Sequence, residues 1–225
     1  RPQHLRALPR SRVRGVGGAA TTGGLSRGSV THILNAMPSR PIAELSALQD
    51  VSAAFYGGKI TRDAARSAVI DVIAGRLNCS RVSLWRFEGE PGDLHLLCFA
   101  SKRTGGALET APSTLRQTEY RDYFDELVGT GMFRSDDAFA DPVLQPMRER
   151  YLVANQVHSL LDAAFMVNGR AYGMVCCEQT DAIRHWRADE VAALRAMVAK
   201  LALLMASGGD EILWRSPSLP MLPLP

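Results

Sequence analysis

Lysine is scarce in this chain. Of 26 basic residues only Lys59, Lys102 and Lys200 are lysine, a trait of GC-rich codon usage that carries no chemistry. Acids are missing from residues 1–40, which hold seven arginines; without that leader, 19 basic residues face 23 acidic ones. The net charge of +3 therefore belongs to the leader, and nucleic acid is disfavoured as a partner of the body of the chain. There is no CxxC, and Cys79, Cys98, Cys176 and Cys177 make neither a zinc pattern nor a small disulfide framework. They read as packed thiols in a reducing compartment, which places the protein in the cytoplasm. No apolar run approaches the roughly 20 residues that span a bilayer, so no membrane is expected as a partner. HxxxH, a Ser–His–Asp order and a phosphate-binding loop are all missing, and Gly15, Gly17 and Gly18 follow no strand. Nothing is left on which to build a nucleophile–base pair or a metal set, so the chain reads as non-catalytic.

What is present divides into three. Residues 1–40 read as a disordered basic leader, 41–207 as one domain, and 208–225 as a disordered proline-rich tail. Ile42, Leu45, Leu48, Val51 and Phe55 recur at helical spacing. A second helix starts at the Thr61 cap and buries Ala65, Val69, Val72, Ile73 and Leu77. Strands are expected at 81–87 and 94–100, with a long polar loop over 101–118. A short aromatic helix over 120–127 and a brief strand near 132–134 follow. Asp141 reads as the N-cap of a helix running to about 155, with Pro142 at its first position. The last helix covers about 188–205.

The hairpin at 159–178 organises the rest. Asn168-Gly169 between two apolar runs is a strong signal for a two-residue turn. A regular ladder from that turn pairs Met166 with Ala171 and Asp162 with Val175. Neither face is polar, so the hairpin is expected at the sheet centre, covered on both sides. Cys176 and Cys177 point to opposite faces. Asp162 is the odd member, since a carboxylate there needs a partner or a polar cavity.

At residue level CSRVSLWRF (79–87), YRDYFDEL (120–127), DDAFADP (136–142), SLLDA (159–163), NGRAYGMVCCEQ (168–179) and RHWRADE (184–190) together resemble the GAF domains of bacterial sensor histidine kinases and diguanylate cyclases. The likeness covers residues 42–206. It implies an α+β sensor fold, with a central antiparallel sheet and helices on both faces. Two departures stand out: Ala164 where relatives often have proline, and Arg187 where they often have Ser or Thr. The second is expected to remove a capping box with Glu190.

The resemblance also implies a function: a sensory or regulatory module in bacterial signal transduction, binding a small molecule, relaying state through helices, and serving a separate kinase or cyclase output partner. Candidate pocket residues are Tyr120, Tyr123, Phe124, Asp137, Tyr151, Asp162 and Cys176, with plain core packing the competing reading for the aromatics. Asp136 and Asp137 also fit a self-bonded turn. No cysteine lies between Cys98 and Cys176, which disfavours covalent bilin attachment of the phytochrome type. The residues name no cofactor. The alternatives are a redox enzyme of the free methionine sulfoxide reductase kind and a purely structural dimerisation domain. The last helix carries two apolar seams, so a homodimer is expected through Leu45, Leu48, Phe55, Leu194, Val198, Leu201, Leu204 and Met205.

Overall fold

Thr61 shows how sequence sets an element boundary here. Its Oγ1 accepts from Ala64 N at 3.2 Å, Asp63 follows in the first turn, and α2 (Arg62–Leu77) runs until Asn78 stops it at φ 49°. The structure, a computed structural model, describes residues 40–110, 112–167 and 170–206. The readings of the leader, the tail and the Asn168-Gly169 turn lie outside the described residues. Before α2 comes α1 (Arg40–Tyr56).

The strands β1 (Arg81–Glu88) and β2 (His95–Arg103) form an antiparallel hairpin. Gly89 is fixed in its turn: φ is +86°, and a Cβ there would stand 2.4 Å from Asp93 O. The region expected to be irregular over 101–118 instead contains β3 (Leu108–Glu109) and β4 (Ser113–Arg116), both paired with β2. Leu108 and Leu115 each turn an apolar side chain into the core, which fixes short strands that the polar composition hides.

The helix α3 (Arg121–Thr130) ends at Gly131, φ +74°, and leads to β5 (Met132–Ser135). The helix expected from Asp141 is not α-helical. Residues Pro142–Met147 form a 3₁₀ helix, and Arg148–Val153 continue with π-helical geometry. Asp141 does cap it, Oδ1 accepting from Val143 N at 3.0 Å. Pro146, with no N–H to give, breaks the α ladder from within. Then come β6 (Val157–Val167), β7 (Arg170–Thr180) and α4 (Ala188–Ala206). Arg187 does not abolish the cap of α4. Its backbone N–H still donates to Glu190 Oε2 at 2.9 Å, so half of the box survives.

The sheet runs β3-β2-β1-β7-β6-β5, with β4 also on β2. Apolar side chains of both faces are buried. One layer joins the sheet to α1, α2 and α4 through residues such as Ile73, Val82, Leu161, Val175 and Leu194. The other joins it to α3 and the 142–153 segment through Trp85, Phe124, Phe133, Leu144 and Leu152. This is the expected α+β architecture.

The hairpin register departs from the regular ladder. Met166 pairs with Ala171, but a bulge then shifts β7, so Asp162 faces Cys176 and not Val175. Asp162 and Cys176 thereby share one face, while Cys177 lies on the other.

The interface expected on α1 and α4 is corrected in part. Leu48, Leu194, Val198, Leu201 and Met205 are buried in the chain's own core. Because α4 packs against both β6 and α1, it needs both apolar seams internally. Leu45, Phe55 and Leu204 are half-buried, and the outward residues are Tyr56 and Leu203, 47% and 67% exposed. Among the described residues no helix is long and apolar enough to cross a membrane.

Candidate functional site

On the face covered by α3 and the 142–153 segment, the apolar layer contains a polar seam. It lies on three strands, β1, β6 and β7, and is met by two tyrosines from the covering elements. Tyr123, on α3, donates its hydroxyl to Asp162 Oδ2 at 2.6 Å and lies 3.2 Å from the Met174 sulfur. Tyr151, in the π-helical turn, donates to Glu178 Oε1 at 2.7 Å. Glu178 also accepts from Arg81 Nε, and Arg81 Nη1 donates to Asn155 Oδ1 at 2.9 Å.

The two buried carboxyl groups have different lives. Glu178, 0% exposed, is balanced by Arg81. Burial alone would lower the Arg81 pKa, but the hydrogen bond and charge of Glu178 hold it above its ordinary value. Asp162, 1% exposed, has no cation among its described partners, and its Oδ1 has no hydrogen-bond partner among the described residues. Burial pushes this carboxyl up to about 7, against the opposing pull of the Cys176 thiol and the Tyr123 hydroxyl, with the charge of Glu178 adding to the rise. Near neutral pH it is thus divided between acid and carboxylate. The thiol of Cys176 and both tyrosine hydroxyls are raised well above their ordinary values by burial first, so they stay protonated. Burial likewise pushes Cys98 up to about 12. None of these thiols is a ready nucleophile.

Tyr120, Tyr123, Phe124, Tyr151, Asp162 and Cys176 fall in this one layer, all buried. Asp137 does not join them. It is half-buried and bonds its own turn, Oδ1 accepting from Ala140 N at 3.2 Å. Asp136 is likewise a structural hub. It takes hydrogen bonds from Arg134, which holds its carboxyl well below the usual range, and from Trp186 N, with His185 Nδ1 at 3.1 Å. Missing from the sequence reading were Arg81, Glu178 and Asn155. The available signal was Glu178 itself, a second carboxylate in an apolar strand, but only pairing of β1 with β7 brings Arg81 beside it.

The rings close the layer. Tyr123 stands edge-on to Phe124 and Phe133, and Phe124 to Phe87. Open cavities among the described residues lie elsewhere: about 460 Å³ between β6 and α4, about 730 Å³ at the β1–β2 turn, and about 580 Å³ where α1 and α2 meet the start of α4. Among the described residues no cluster of His, Cys, Asp and Glu could hold a metal ion.

The GAF domain family model matches residues 62–205. The chain belongs to the GAF family. This GAF domain is similar to the phycocyanobilin-bound GAF domain of a cyanobacterial phytochrome, at 16% identity and a TM-score of 0.58, over 73% of this chain and 94% of that one. It is similar to the blue-light absorbing form of the Thermosynechococcus elongatus PixJ GAF domain, at 17% identity and 0.54, over 72% and 89%. A third likeness is to the chromophore-binding domain of a Stigmatella aurantiaca bacteriophytochrome, at 15% identity and 0.54, over 76% of this chain. The GAF domain spans only 62% of that longer chain. At such identities the likeness is one of fold. No curated protein matches the chain.

Proposed function

We propose that this GAF domain is a non-catalytic sensory module of bacterial signal transduction. It holds a small planar molecule at Asp162, by an N–H or ammonium group offered to Oδ1, and acts in the cytoplasm on a separate kinase or cyclase partner. The observation that carries this reading is Asp162 itself: fully buried, with Tyr123 donating to Oδ2 and the Cys176 thiol beside the carboxyl, while Oδ1 has no hydrogen-bond partner among the described residues. A buried polar atom left without a partner costs about 1–3 kcal/mol, which a ligand donor would recover. The surrounding rings favour a flat partner. Phytochrome and cyanobacteriochrome GAF relatives, one with phycocyanobilin bound, support small-molecule binding. In this chain the ligand is held without a covalent bond, because Cys98 and Cys176 are buried, protonated thiols within strands. The layer is closed in the structure, so an entering ligand displaces α3 or the 142–153 segment, and that displacement is the signal.

The relay runs through a homodimer in which α1 and α4 of two copies pair and cover Tyr56 and Leu203. Native mass spectrometry of gently purified protein tests both halves. The expected species is a dimer carrying an excess mass that denaturation removes and that Asp162→Ala lacks. A bare monomer overturns the reading, and turnover of free methionine sulfoxide with a thiol reductant overturns its non-catalytic part.

A further inference from the structure

The cavity of about 460 Å³ is a groove between the end of β6, the start of β5 and the second half of α4. Small residues keep it open. Ala163, Ala199 and Ala202 line it, and their short side chains leave the space between strand and helix unfilled. Met166 and Leu203 also line it, 39% and 67% exposed. Two large apolar side chains so exposed beside one groove mark a docking surface. Arg195 is the one charged residue among the described residues that line it. It is exposed and has no carboxylate partner among the described residues. Arg195, Ala199, Ala202 and Ala206 recur at steps of three and four, so the groove follows one stripe of α4 to the helix's last residue.

The sequence after Ala206 suits that groove in composition and length. Ser207, Gly208 and Gly209 come first, and the two glycines carry no steric bar to the positive φ that a reversal uses. Asp210, Glu211, Ile212, Leu213 and Trp214 follow, and the prolines begin only at Pro217. Helical rise sets Arg195 about 16 Å back from Ala206, and five extended residues also span about 16 Å.

We propose that segment 210–214 turns back along α4 and seats in this groove, which is thus the docking surface of the chain's own C-terminal segment. Run antiparallel to α4, the extended segment turns Ile212 and Trp214 to one side, into the apolar groove. Trp214 then meets Arg195, a cation over an indole face. No described lining residue belongs to α1, so the inference depends neither on the paired helices proposed above nor on Asp162.

Acrylamide quenching of tryptophan fluorescence in the intact chain tests this. Trp85 and Trp186 are 2% and 1% exposed, so the quenching that responds to the groove is that of Trp214, assigned by its loss in Trp214→Phe. Trp214 should be shielded in the wild type. Ala199→Glu, which puts a bulky anion in the groove at an exposed helix position, should raise its quenching constant threefold or more. Arg195→Glu should raise it twofold or more. Adding Ile212→Ser to Ala199→Glu should change nothing further, because both act on one contact. Asp162→Asn should leave the shielding unchanged. If Ala199→Glu does not melt cooperatively, Arg195→Glu is read in its place. Full quenching of Trp214 in the wild type, or shielding indifferent to the groove variants, overturns the proposal. Shielding lost on hundredfold dilution would assign the groove to the segment of a second copy and overturn the assignment to the chain's own.

Discussion

Replacing Asp162 with asparagine should raise the melting temperature above that of the wild type at pH 8, by a margin that shrinks towards pH 5. The reason is the raised pKa of the buried carboxyl, about 7 in the fold against an ordinary value of 3.8. Between those two values the folded chain keeps a proton that the unfolded chain has released. Wild-type stability therefore falls as pH rises through this window, and levels off above about 7. A full unit of such a shift is worth about 1.4 kcal/mol. From pH 5 to 8 the differential should reach about 2.6 kcal/mol, roughly 5–10 °C for a domain of this size. Asparagine does not titrate and keeps the oxygen that Tyr123 bonds. Melting curves of the two proteins across pH 5–8 check this, and parallel pH dependences would contradict it.

Arg81→Met should cost more. It strips the cation from Glu178, which is 0% exposed and keeps only the Tyr151 hydroxyl. Breaking a buried pair on one side typically costs about 3–5 kcal/mol, because a charge is left behind without compensation. The melting temperature should fall by roughly 6–20 °C. Glu178→Leu alone should be comparably harmful. The double variant Arg81→Met/Glu178→Leu should recover at least half of the loss, since two apolar side chains leave no buried charge. A single variant within about 1 kcal/mol of wild type would show that the seam tolerates a lone carboxylate, and the contrast between Glu178 and Asp162 would then lose its basis.

The elements were largely legible because they follow from local signals. Helical spacing marks α2 and α4, Thr61 and Asp141 mark starts, and the two apolar runs at 159–167 and 170–178 mark β6 and β7 as paired strands. The departures arise where non-local packing decides. Leu108 and Leu115 make strands within a polar stretch only because β2 offers an open edge. Pro146 makes the Asp141 helix irregular, and sequence could have shown that. The bulge in the hairpin is invisible in composition, yet it decides that Asp162 faces Cys176. Of the seam, Asp162 was visible as a carboxylate in an apolar strand. Its bond to Tyr123 spans 39 residues and the Arg81–Glu178 pair spans 97, so neither partner could be named without the fold. The apolar width of α4 did not say which residues face outward, because a helix wedged between a sheet and α1 buries Leu194, Val198, Leu201 and Met205 within its own chain and leaves Leu203 exposed.

The central claim is that the face beneath α3 keeps one buried carboxyl balanced and leaves the other, Asp162, open as a recognition group. Carbon-13 carboxyl titration of aspartate-labelled protein tests it most directly, with the Asp162 signal assigned by its loss in Asp162→Asn. In ligand-free protein its midpoint should lie near 7, and loading with the copurified molecule should move it down, since a bound donor favours the carboxylate. A midpoint near 4 in ligand-free protein would contradict the account, because it would mean that Asp162 is already solvated or paired.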